Sequence, residues 1–124
     1  MAKQTSVVTY LRCSGPGQVE GDTVPRQREA VARFAKSAGM VVVREFSDLG
    51  VSGTKELVDR PGLTDLLAFV TTNRVSAVVV ENADRWARDL VVGEIELERM
   101  LAAGIGVWDA STGQDLTVPT GDPT

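Results

Sequence analysis

Apolar positions along this chain alternate between two periods. Ser6 to Arg12 is rich in β-branched and aromatic residues and predicts a first strand. Cys13 to Asp22, with Gly15, Pro16, Gly17 and Gly21, predicts a loop. Thr23 is placed to cap a helix, and Pro25 is tolerated in its first turn. Val31, Phe34 and Ala35 share one face of that helix, and Gly39 stops it. Met40 to Phe46 predicts a second strand, followed by a polar loop from Ser47 to Arg60 that contains Gly50-Val51-Ser52-Gly53. Pro61 opens a second helix with an apolar stripe of Leu63, Leu66, Leu67 and Val70. Val75 to Glu81 is almost continuously apolar, as expected of a third strand covered on both faces. A long third helix is predicted from about Asp84 to Ala103, ended by Gly104, and a short fourth strand from Ile105 to Ala110. Ser111 to Thr124 has no clear period, and there are no internal repeats.

This β-α-β-α-β-α-β order predicts an α/β fold with a mostly parallel, four- to five-stranded sheet. Right-handed crossovers then place helices on both faces. The expected division is one domain over residues 1–110 and a linker over 111–124. In an open parallel sheet, ligands bind beyond the carboxyl ends of the strands. Three stretches should meet at that edge: Tyr10-Leu11-Arg12-Cys13-Ser14, Asp48 to Arg60, and Asp84-Arg85-Trp86-Ala87-Arg88.

Composition narrows the chemistry. The chain of 124 residues is enough for one domain with a real core, and 43% hydrophobic residues suits a soluble globular protein. No apolar run approaches a membrane span and no secretory signal precedes Ser6, so a cytoplasmic setting without membrane association is expected. One cysteine and no histidine leave no internal disulfide framework, no zinc site of the usual kind and no histidine-dependent triad. A net charge of −4 counts against an autonomous nucleic-acid binder. It remains compatible with an arginine-rich pocket on an acidic module, a separate basic domain supplying most of the DNA affinity.

The arginines are arranged as if for an anion. Arg12 ends the first strand, Arg60 precedes a helix-opening proline, and Arg85 and Arg88 are three apart in the first turn of the third helix. Cations are disfavoured there because a helix N-terminus is already partially positive, so a phosphate would offset the cost. Ser14 follows Arg12 on a turn at the sheet edge. Without histidine, its activation falls to arginines, Asp48, Asp84 or water. Taken singly, each residue has a plainer reading: Ser14 and Asp48 as turn residues, Asp84 as an N-cap, a lone arginine as a solvated surface group, Cys13 as a small buried residue. Glu94, Glu96 and Glu98 read as a solvated helix face. The functional case rests on convergence.

Other chemistries fail on spacing. Gly15 to Gly21 misses the dinucleotide fingerprint by one residue, and no Lys-Ser or Lys-Thr follows a glycine loop as a P-loop needs. The sixth position after Cys13 is Val19, where a cysteine phosphatase needs arginine. The acidic pair of a phosphoacceptor receiver domain is missing after the first strand.

Four ordered motifs resemble the catalytic domain of serine site-specific recombinases, the family of transposon resolvases, DNA invertases and phage-type integrases. They are Tyr10 to Ser14 with Gln18; Thr23 to Gln27; Asp48 to Thr54 followed by Arg60-Pro61-Gly62-Leu63; and Asp84 to Asp89. The likeness runs from about Ser6 to Thr124. Cys13 stands where the family commonly has a small aliphatic residue, and the loop between Gln18 and Gln27 is longer and more glycine-rich than in the smallest resolvases.

The resemblance implies that Ser14 attacks a DNA phosphate to give a 5′-phosphoserine link. Strand exchange and religation would follow in a synaptic tetramer built from dimers, without metal or other cofactor. It implies phosphate binding by Arg12, Arg85 and Arg88, support from Arg60, and orientation or proton transfer by Asp84. Gln18, Gln27, Asp48 and Tyr10 fall in supporting or phosphate-binding places. Asp115 to Gly121 resembles the family's linker before a long oligomerisation helix, so the expectation is an excised catalytic domain or truncated product. Alone it would be monomeric or weakly dimeric and unable to recombine double-stranded DNA. Two alternatives are a non-catalytic regulatory module of the same fold and a flavodoxin-like phosphate or nucleotide binder.

Overall fold

The computed structural model describes residues 5–13, 23–49, 61–73, 75–82, 86 and 90–117. Its strands are β1 (Thr5–Cys13), β2 (Met40–Leu49), β3 (Ala77–Val80), β4 (Gly106–Asp109) and β5 (Gln114–Asp115). Its helices are α1 (Thr23–Ala38), α2 (Pro61–Thr72) and α3 (Leu90–Ala102). The sheet order is β2-β1-β3-β4-β5, with every pair parallel except β4 and β5.

Side-chain alternation along β1 divides the core into two layers. Val8 and Tyr10 point to the layer built with Leu63, Leu66 and Val70 of α2 and Met100 of α3. Val7 points to the opposite layer, where Val31 of α1 covers Ala77 and Val79. Leu11 meets Val24 of α1. Helix α1 therefore covers one face while α2 and α3 cover the other, as right-handed crossovers require when the chain steps from β1 to β2 and then back across to β3. The order reverses between β1 and β3, which makes their carboxyl ends the topological switch point.

Helices α1 and α3 are followed by Gly39 and Gly104, whose φ angles of 72° and 77° lie in the left-handed region. Two strands differ from expectation by more than a residue at one end. β3 is shorter, Ala77–Val80 rather than Val75 to Glu81. β2 runs on to Leu49, so Ser47 and Asp48 belong to the strand and not to the polar loop. The reason is tertiary: Leu11, Arg12 and Cys13 of β1 continue the ladder opposite Ser47, Asp48 and Leu49. The ladder skips Val43, an irregularity that shifts the register by one residue beyond Val7.

β5 lies in the stretch without a sequence period. Asp109 Oδ1 accepts hydrogen bonds from the backbone N–H groups of Ser111 and Thr112, and this turn returns the chain along β4. Of the third helix, Leu90–Ala102 and the helical Trp86 are described; Asp84, Arg85 and residues 87–89 lie outside the described residues.

Candidate active site at the sheet switch point

The end of β1 is built around Tyr10, Arg12 and the helix that follows. β1 outruns β3: its ladder with β3 ends at Thr9 opposite Val79, whereas its ladder with β2 continues to Cys13. Buried backbone groups beyond that point need other partners. Gln27 of α1, fully buried, supplies them at Arg12. Its Nε2 donates to the Arg12 carbonyl at 3.2 Å and its Oε1 accepts from the Arg12 N–H at 3.3 Å. One side-chain amide thus takes the place of a neighbouring strand. The Arg12 side chain is itself buried at 1% exposure, an unusual setting for a guanidinium and one that demands compensating partners.

Asp48, at the end of β2, is buried and accepts three hydrogen bonds. The Tyr10 hydroxyl donates to Oδ2 at 2.7 Å, the Leu63 N–H donates to Oδ2 at 2.9 Å, and the Gly62 N–H donates to Oδ1 at 2.7 Å. The carboxylate caps the N-terminus of α2, where its charge is favoured. The helix start approaches β2 so closely that a Cβ on Gly62 would sit 2.1 Å from the Ser47 carbonyl oxygen. Asp48 therefore organises the start of α2.

The motif from Asp84 to Asp89 enters through Trp86. Its ring is buried and meets Tyr10 edge-on, with centroids 6.2 Å apart and planes at 74°. Trp86 is flanked in sequence by Arg85 and Ala87-Arg88, so an apolar anchor from this motif packs on the strand that leads to Ser14. Thr9 adds a fourth tie by donating to the Val79 carbonyl at 2.9 Å.

Of the expected site residues, Tyr10, Arg12, Gln27 and Asp48 are brought together, all of them buried. Tyr10 is wholly buried, with its hydroxyl on Asp48. Ser14, Gln18, Arg60, Asp84, Arg85 and Arg88 lie outside the described residues. So does the side chain of Cys13.

Sequence reading missed Glu81, which is buried at the end of β3 and holds Arg26 of α1 through two contacts, Nε to Oε2 at 2.9 Å and Nη2 to Oε1 at 3.4 Å. A charged residue closing an otherwise apolar strand was the available signal. Away from this edge, the Arg28 guanidinium is held above its ordinary pKa, chiefly by its hydrogen bonds to Glu45. Among the described residues, no group of three or more His, Cys, Asp or Glu side chains is arranged to hold a metal, and no helix is long and apolar enough to cross a membrane.

The chain is similar to known proteins. The uncharacterized protein YbcK of Escherichia coli (strain K12) is 32% identical over 107 residues, which covers 81% of this chain and 21% of that protein. The chain thus spans about a fifth of the length of the curated relative it matches. The N-terminal catalytic domain of TP901-1 integrase superposes with a TM-score of 0.81 at 23% identity, covering 94% of this chain and 86% of that one. A resolvase family site-specific recombinase from Streptococcus pneumoniae gives 0.78 at 24%, covering 94% and 79%. These two likenesses establish the fold. The C-terminal catalytic domain of ISC1926 TnpA, an IS607-like serine recombinase, gives 0.72 at 27%, covering 84% and 68%. The family model of the resolvase N-terminal domain matches residues 7–123, so the chain belongs to that family.

Proposed function

We propose that this chain is the catalytic domain of a serine site-specific DNA recombinase. Ser14 Oγ attacks a backbone phosphorus; the Oγ–P bond forms as the P–O3′ bond breaks, and the departing 3′ oxygen takes up a proton. The product is a 5′-phosphoserine and a free 3′-hydroxyl. Attack by the 3′-hydroxyl of an exchanged strand reverses the step and releases the serine. Phosphodiester energy is conserved in the covalent link, and the step needs neither metal nor cofactor.

Arg12, Arg85 and Arg88 stabilise the added negative charge of the transition state, with Arg60 in support. Arg12 does so from beneath the edge, where low dielectric strengthens its field. Asp84 orients an arginine or moves the serine proton, and Gln18 positions the phosphate. Gln27, Asp48 and Tyr10 hold the frame. The partner is double-stranded DNA, and exchange takes place in a synaptic tetramer assembled from dimers in the cytoplasm. Residues 1–110 carry the chemistry, and the stretch from 111 leads toward oligomerisation and DNA-binding parts.

The observation that carries this reading is the Tyr10–Trp86 contact at the switch point. It joins the motif of Asp84, Arg85 and Arg88 to the strand that runs into Ser14. The test is covalent trapping. The longest product of the reading frame encoding this chain is incubated with DNA from the flanks of its gene and denatured, and the adduct is mapped by mass spectrometry. The expected phosphate is on Ser14. Ser14→Ala abolishes the adduct and Cys13→Ser retains it. Undiminished adduct in Ser14→Ala would refute the mechanism.

A further inference from the structure

Resting on that reading, we infer that Arg26 and Glu81 are a positioning pair, which sets the spacing between the two halves of the active site without touching DNA. The two flanks of the switch point are the end of β1, which leads to Ser14, and the end of β3, which leads to Asp84, Arg85 and Arg88. Successive residues of α1 grip both. Gln27 holds the backbone of Arg12 at the end of β1, and Arg26 holds the carboxylate of Glu81 at the end of β3. The first turns of α1 therefore bridge the crevice from below.

Stability alone does not account for this pair. Glu81 has a side chain only 11% exposed, whereas that of Arg26 is 55% exposed. A half-exposed ion pair contributes little, and burying a carboxylate has a desolvation cost that an apolar residue at the end of β3 would avoid. What the pair provides is direction. A forked guanidinium on a carboxylate fixes both distance and orientation, which an apolar contact does not. Glu81 lies three residues before Asp84, close enough for a shift at the strand end to pass into the arginine motif.

The test measures the rate of Ser14 adduct formation at saturating DNA, and separately the DNA concentration giving half-saturation, in the full reading-frame product. The variants are Arg26→Gln, Glu81→Gln, their double, Arg26→Lys and the exchanged pair Arg26→Glu with Glu81→Arg. Each single Gln variant is expected to lower the saturated rate by about tenfold to a hundredfold, as misplacement of reacting groups does. Half-saturation should stay within about twofold, because the lost interaction acts on the reacting geometry and not on DNA binding. The double variant should be no slower than the worse single, and Arg26→Lys should recover part of the loss. Thermal unfolding of each variant identifies any rate loss that merely follows the folded fraction.

Unchanged rates in both Gln variants overturn the inference while leaving the recombinase reading intact. So do losses that multiply in the double variant, or that move half-saturation instead of rate. A wild-type protein that forms no Ser14 adduct overturns both.

Discussion

Replacing Asp48 by alanine removes one carboxylate from three donors at once. The Tyr10 hydroxyl and the Leu63 N–H belong to residues with no solvent exposure, and the Gly62 N–H is half-buried. Hydrogen bonds to a charged partner contribute about 1.5–3 kcal/mol each, and a buried donor left unsatisfied costs about 1–3 kcal/mol. The two backbone donors together form the cap of α2, whose loss costs about 0.5–2 kcal/mol. These terms overlap, so the expected destabilisation is about 3–5 kcal/mol, a large part of a domain's usual 5–15. Asp48→Asn should cost less. With its oxygen at the Oδ2 place it still accepts from Tyr10 and Leu63, but its amide then faces the Gly62 N–H, donor against donor. Tyr10→Phe removes a single bond to that carboxylate and should cost about 1.5–3 kcal/mol in the wild type and less when Asp48 is already alanine. Urea unfolding followed by circular dichroism reads all of these as shifts of the midpoint at constant slope. The reasoning fails if Asp48→Ala lies within about 1 kcal/mol of wild type, or if Tyr10→Phe costs the same in both backgrounds.

Gly62→Ala places a methyl group against the Ser47 carbonyl; the helix must move, and urea unfolding should show a loss of about 3 kcal/mol. Gln27→Leu keeps the volume but abandons the Arg12 N–H and C=O, with an expected loss of about 2–4 kcal/mol and faster amide exchange at Arg12. Arg28→Ala breaks a pair in which both side chains are substantially exposed, so the same unfolding assay should register at most about 0.5 kcal/mol. The sign for Arg28 follows from its raised pKa. Its contribution is fully present below the unfolded-state value and is lost only as pH climbs through the folded one. Stability should therefore show no Arg28-dependent change anywhere near neutral pH.

Much of this fold was legible because its elements obey their own periods. α1 buries Val24, Gln27, Val31 and Ala35 at helical spacing, and β1 alternates strictly between two layers. The order of strands and helices along the chain followed from that, whereas the order of strands in the sheet, and with it the switch point, is seen only in the structure. The misread parts are those where distant residues overrule local pattern. Ser47 and Asp48 look like loop, but a partner strand and the start of α2 hold them in the sheet. β5 is short and depends on the turn made by Asp109. The Arg26–Glu81 contact spans 55 positions, and no local signal reports so long a separation. The motif makes Asp48 an expected site residue, yet it could not say that the carboxylate is spent on Tyr10 and a helix cap.

Those buried roles explain how parts of four motifs far apart in the chain are held at one edge of the sheet. β1 is their common support. Tyr10 ties it to Asp48 and the start of α2, the Tyr10 ring ties it to Trp86, the Arg12 backbone ties it to Gln27, and Thr9 ties it to β3. The other three motifs each contain a residue that attaches to β1: Gln27, Asp48 and Trp86. On the proposed reading, a strongly destabilising substitution at an attachment residue lowers activity, as one at the nucleophile does. Loss of activity alone therefore does not identify a catalytic residue here. What separates the two classes is stability. Attachment residues such as Gln27 and Asp48 should lose folding free energy and activity together. Ser14, as the proposed nucleophile, should lose only the covalent step.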